Sequence, residues 1–169
     1  MWQNGGMTSA RWLDPEERQA WLALLAVSTL LPGTLDAPLY REGKLTLFDY
    51  HVLAMLSEAP DRSLPMSELA SRTYSSLSRL SHVVKKLQGR GWVERAQCAE
   101  DARVTMALLT EEGMAAIESL APGHVEAVRH AVFDGLDRRD VQDLERIGKK
   151  IVQQLEPGSW VLREPRLNA

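Results

Sequence analysis

Cysteine is almost missing from this 169-residue chain, with Cys98 standing alone. One thiol excludes an intramolecular disulfide framework and any all-cysteine metal site within one chain. The short signatures of common catalytic sites are missing too. There is no Gly-rich phosphate loop, no G-x-S-x-G and no H-E-x-x-H. The histidines His51, His82, His124 and His130 are scattered, and the nearest two lie six positions apart rather than at a ligand spacing. The expectation is therefore no enzymatic activity, no metal and no other cofactor. No unbroken apolar run reaches the roughly 18 residues of a membrane span. The N-terminus, MWQNGGMTSA, lacks the basic and apolar regions of a signal peptide. A cytoplasmic protein with no membrane partner is expected.

What is present is the composition of an ordinary globular domain, 44% hydrophobic and 25% charged, with length for one domain and a sizeable core. A net charge of −3 seems to argue against a polyanionic partner until it is divided along the chain. Residues 71–95 hold six bases, Arg72, Arg79, Lys85, Lys86, Arg90 and Arg95, against the single acid Glu94. That segment carries +5, which leaves −8 for the remainder. An acidic body with one basic stripe docks on phosphates while its other surfaces are repelled from them.

Periodicity and punctuation predict the elements. Asp14-Pro15-Glu16-Glu17 reads as a capped helix start. Trp21, Leu24, Leu25 and Leu31 continue that helix on one face, and Pro32-Gly33 is expected to kink or break it before Thr34–Arg41 resume. Thr46 or Leu47 opens a second helix that stops before Pro60. Met66–Arg72 is a short helix, followed by a polar break over Thr73–Ser76 and a further helix ending near Gly89 and Gly91. Strand-like runs at Trp92–Ala96 and Val104–Leu109 then flank the polar tip CAEDAR, as in a β-hairpin. Thr110-Glu111-Glu112 starts a long helix, expected to be interrupted at Pro122-Gly123 and to run on to about Phe133. Asp137 caps a last helix with the narrow stripe Val141, Leu144, Ile147, Ile151 and Leu155, which suits a partner helix. Trp160, Val161 and Leu162 in the tail are expected to dock elsewhere on the protein.

The helix after the polar break carries the functional argument. On a wheel of about 100° per residue, Leu77, Leu80, Val84 and Leu87 share one side. Ser75, Ser78, Arg79, His82 and Lys86 fall on the other, and Ser75 or Ser76 is placed to cap the helix. One side packs and the other is available to a ligand. A merely solvated helix face is the competing reading.

The order of elements over residues 14–155 resembles the MarR family of winged helix-turn-helix transcription regulators. The resemblance rests on MSELA at 66–70, LQGRGWVER at 87–95, Asp101 and Arg103 around Ala102, and LTEEG at 109–113. It implies a mostly α fold with a small β-hairpin wing and long N- and C-terminal dimerisation helices. In those terms 1–13 is a loose arm, 14–155 one MarR-like domain and 156–169 a tail. Within the domain, 14–44 and 110–155 supply the dimerisation helices, and 45–109 is the winged-helix lobe. The resemblance further implies a homodimer that presents two reading helices to successive major grooves of a palindromic operator in double-stranded DNA, more often as a repressor. A winged helix serving as a protein-interaction module, without sequence-specific DNA binding, is the alternative.

Within that expectation Ser75, Ser76, Ser78, Arg79 and His82 contact bases and phosphates, with Arg79 the best placed to read a guanine. Lys85, Lys86, Arg90 and Arg95 hold backbone phosphates. Arg103 enters a narrow minor groove, and Asp101 braces it or is simply a turn residue. Two features depart from the family pattern: Lys85-Lys86 replaces a common acid–basic pair, and His82 stands where a basic or polar residue is usual. The family also implies a small aromatic or phenolic acid as ligand, in a cleft between the dimer helices and the reading lobe. Trp21, Tyr50 and His51 would lie near that cleft, although aromatics at helical spacing equally suit a core. Cys98 sits beside acidic residues, which disfavour a reactive thiolate, so a redox role is not expected.

Overall fold

The computed structural model describes residues 10–163. The chain divides into two compact units, residues 1–33 and 34–169. Most of the expected N-terminal arm and the end of the tail lie outside the described residues.

Helix α1 (Pro15–Gly43) begins as its sequence requires. The Glu17 carboxylate accepts from the Asp14 N–H at 3.0 Å, and the Asp14 carboxylate accepts from the Glu17 N–H at 2.8 Å. Two expectations about this helix are corrected. Of the expected kink or break, the break is absent: helical structure continues through Pro32 and Gly33, because a proline withdraws only one N–H from the ladder and neighbouring turns carry the helix past it. Its apolar residues also do not keep to one face. Trp21, Leu22, Leu24, Leu25, Val27 and Leu30 lie around the whole circumference and are all exposed. A third correction concerns bilayers: α1 contains an 18-residue window of mean hydropathy 1.5, long and apolar enough by composition to cross a membrane. A search for unbroken runs misses it because Ser28 and Thr29 interrupt the count. Both hydroxyls donate to the Leu25 carbonyl, at 2.9 and 2.7 Å, which conceals their polarity.

The unit from Thr34 onward is built around α2 (Leu47–Ser57). Thr46 and Asp49 form a reciprocal capping box at its start, which settles the expected opening at Thr46 or Leu47. Val52, Leu53 and Leu56 are fully buried on it. Against α2 pack α3 (Met66–Arg72), α4 (Leu77–Gln88) and α5 (Glu111–Val128). A three-stranded antiparallel sheet completes the lobe, in the order β1 (Ser63–Pro65), β3 (Thr105–Leu109), β2 (Val93–Gln97). The β2–β3 hairpin pairs Arg95 with Ala107 and Gln97 with Thr105, leaving the polar tip between the strands. Leu64, Leu69, Leu80, Val84, Leu87, Val93 and Ala107 close the core from every side.

Helix α5 is not interrupted at Pro122-Gly123. A Cβ at Gly123 would meet the end of the Glu42 side chain at 2.8 Å, a contact that rotation of the carboxylate relieves. The change of geometry comes later, where Arg129–Phe133 form a π-helical turn. Helix α6 (Arg138–Leu155) has an Asp137–Asp140 capping box and keeps its stripe of Val141, Leu144, Ile147, Ile151 and Leu155 exposed.

The LTEEG segment has a packing reason for its glycine. The Thr110 hydroxyl accepts from the Gly113 N–H at 3.0 Å and donates to the Gly91 carbonyl at 2.7 Å, drawing α5 onto the end of α4. A Cβ at Gly113 would then lie 2.2 Å from the Trp92 carbonyl oxygen. Since that obstacle is backbone, Gly113→Ala is expected to cost about 1–3 kcal/mol or more, as overpacking does. Urea unfolding of the variant checks this, and an unchanged midpoint would refute the close-approach role.

Candidate nucleic-acid interface

Helix α4 has one buried and one exposed side. Leu80, Val84 and Leu87 are each 0% exposed, whereas Ser76, Ser78, Arg79, His82, Lys85 and Lys86 are open to solvent and Ser75 is half-buried. Ser76 caps the helix, its hydroxyl accepting from the Arg79 N–H at 3.2 Å. Ser75 is bound instead into the preceding turn through the Thr73 hydroxyl. Leu77 departs from the wheel: it is 55% exposed, because the first turn of α4 projects beyond the core that receives Leu80. An exposed leucine thus belongs with the polar residues at the head of this helix.

The basic residues separate into two groups once their contacts are followed. Lys86 donates to the Asp49 carboxylate at 2.6 Å, and Asp49 is 2% exposed. The guanidinium of Arg90 lies 3.6 Å from the centre of the Trp92 ring and donates to the Gly43 carbonyl at 2.8 Å, at the negative end of α1. Arg95 donates to the Ser81 carbonyl at 2.7 Å and binds its hydroxyl at 3.1 Å, tying β2 to α4. Each of these three cations holds the lobe together. Arg79 stacks over Phe48 at 4.1 Å from the ring centre, so its charge stays at the surface on an apolar support. His82 and Lys85 have no polar partner among the described residues.

At the wing tip the Asp101 carboxylate accepts from the Arg103 N–H at 3.0 Å, and the Arg103 guanidinium lies 3.7 Å from it. The side chain of Arg103 is 95% exposed. The bond from the Arg103 N–H is that of an Asx turn and the longer contact is of a bracing kind, so both roles weighed for Asp101 stand, with a cation at the end of the hairpin.

Sequence reading placed Tyr50 and His51 near a ligand cleft. Tyr50 pairs with His124 of α5, ring centres 4.2 Å apart, a partner that its distance in sequence concealed. A cavity of about 210 Å³ beside them is lined by Tyr50, Ser57, Glu58, Met114, Ile117 and Glu118 among others, without His51. Trp21 belongs to the first unit. Burial, followed by the charge of Glu58, raises the Tyr50 pKa, while burial lowers those of His51 and His124. The Nδ1 atom of His124 is buried without a partner.

Comparison with known proteins adds the following. The MarR family profile matches residues 45–105. The crystal structure of Sco3205, a MarR family transcriptional regulator from Streptomyces coelicolor in complex with DNA, is 39% identical. It matches over 93% of this chain and 100% of that one with a TM-score of 0.85. The HTH-type transcriptional repressor IacR of Pseudomonas putida is 31% identical over 72% of this chain and 65% of its own length. The transcriptional repressor MprA of Escherichia coli is 26% identical over 63% of this chain. The chain spans about 60% of the length of the E. coli relative.

Two measurements test these assignments. Lys86→Ala leaves a buried carboxylate with one partner fewer and is expected to lower unfolding free energy by about 1–2 kcal/mol, the low end reflecting a half-exposed ammonium. Lys85→Ala in the same denaturation series should be neutral. For pH, His51 and His124 bind protons less readily when folded, so their contribution is complete above about 6.5 and is lost as pH falls toward their folded pKa values. Melting temperature should therefore decline on acidification below about 6.5, and less so in His51→Gln/His124→Gln, given that linkage.

Proposed function

The chain belongs to the MarR family, and on that premise we propose that it is a homodimeric, sequence-specific repressor that binds a palindromic operator in duplex DNA. The observation that carries this reading is the divided α4 helix: three fully buried residues hold it in the lobe while Ser78, Arg79, His82 and Lys85 face solvent together. Arg79 is the guanine reader, with Ser75, Ser76 and Ser78 beside it and Lys85 on phosphate. Lys86, Arg90 and Arg95 contribute by holding α4 in place, and any phosphate contact they make is secondary. Arg103, braced by Asp101, enters the adjacent minor groove. The DNA-bound S. coelicolor relative supports the partner, and the two repressors support the sign of regulation.

The apolar surface left open by one copy supports dimerisation. A helix that is apolar around its circumference, as α1 is, requires burial, and the α6 stripe is the width of a helix–helix seam. These faces joining two copies account for α1 without a bilayer. Two reading helices so held address half-sites about 10 bp apart. A small aromatic ligand fits the Tyr50 cavity best as a neutral phenol, because Glu58 and Glu118 in its lining oppose a carboxylate.

Selection of duplexes from a random pool by the full-length protein tests the function. Recovered sites should be palindromic, and log affinity should fall with log salt by about 0.9 per phosphate contacted. A winged helix that binds only protein would recover no duplex and show no such slope. On a recovered site, Arg79→Ala should cost about 1–3 kcal/mol and relax one base position. Arg103→Ala should weaken binding chiefly to sites with A·T-rich flanks; intact affinity at moderate salt would remove the wing from the interface.

A further inference from the structure

The turn between α3 and α4 determines where the reading helix begins, and it is held from an unexpected direction. Beyond α6 the chain folds back through a short 3₁₀ turn at Trp160–Leu162. The indole N–H of Trp160 donates to the Arg72 carbonyl at 3.0 Å, 88 positions earlier. Arg72 is the last residue of α3, where helix carbonyls lack partners of their own. Ser159, only 3% exposed, shares a hydrogen bond with the Tyr74 hydroxyl. Tyr74 has a φ of +49°, a left-handed conformation unfavourable for a residue with a side chain. Its neighbours help by local bonds, the Thr73 hydroxyl donating to the Leu69 carbonyl at 2.8 Å. The Trp160 ring also packs against the core.

We propose that Ser159–Leu162 is a strap that fixes the α3–α4 turn, making Ser159 and Trp160 positioning residues for the DNA-reading helix. Two hydrogen bonds from the strap reach Arg72 and Tyr74, on either side of Thr73, and neither comes from an element adjacent in sequence. The strap follows α6 directly, so it links the helix with the unpartnered apolar stripe to the N-terminus of α4. The affinity arm of the test rests on the DNA-binding reading above; the exchange arm does not.

The full-length protein is compared with Trp160→Phe, which keeps a ring but loses the donor, and with Ser159→Ala and Tyr74→Phe. Amide hydrogen exchange over residues 73–78 should accelerate in each, by about fivefold to tenfold for one lost hydrogen bond, while α2 and α5 keep their protection. Affinity for a duplex selected by the unaltered protein should fall by a similar factor. Ser159→Ala combined with Tyr74→Phe should lose no more than either alone, since they remove one shared bond. Unchanged exchange at the turn overturns the strap. Faster exchange with unchanged affinity overturns its positioning role. If the unaltered protein selects no duplex, the DNA reading fails while exchange still decides the strap.

Discussion

A buried carboxylate ties the reading helix to the centre of the lobe. Asp49 accepts from the Thr46 N–H at 2.7 Å and from the Lys86 ammonium at 2.6 Å while almost wholly removed from water. An isolated charge in that position would be costly, so its two partners are obligatory in a way that surface ion pairs are not. One partner starts α2, the main core helix, and the other lies near the end of α4. The carboxylate therefore sets the angle between the helix that organises the core and the helix that carries the exposed basic face.

Around that contact α4 is restrained along its whole length. Arg95 reaches back from β2 to Ser81 in its middle, and Arg90 joins its C-terminal end to the end of α1. The turn before it is bound by Thr73 and by the C-terminal segment. Cations that composition alone would assign to phosphate are thus divided between holding the helix and facing outward. A helix held this rigidly would suit the base recognition proposed for it, because a side chain held in place loses little freedom when it binds.

Much of this was legible beforehand, for identifiable reasons. The elements and their order follow from caps and punctuation: Asp14, Thr46, Ser76, Thr110 and Asp137 each cap the helix they precede, with side-chain bonds close in sequence. Local chemistry of that sort can be read from a few neighbouring letters. Proline is a weaker stop than its letter suggests, since neither Pro32 nor Pro122 ends its helix. Leu77 was assigned to the packed side because a wheel has periodicity but no ends, and a core can stop one turn short of a helix. The partners of Lys86 and His124 are not legible in the sequence, because Asp49 and Tyr50 are distant in the chain.

By itself the sequence determined the helical framework, the wing, the basic stripe and the family, all properties of short-range pattern and spacing. Only the tertiary structure decided which cations are hydrogen-bonded to other parts of the lobe and which have no polar partner among the described residues. It alone brought Trp160 to Arg72 and Ser159 to Tyr74. The physical reason is the same throughout: charge and hydrophobicity belong to a residue, but its hydrogen-bond partners are chosen by packing, and packing joins residues that no local pattern relates.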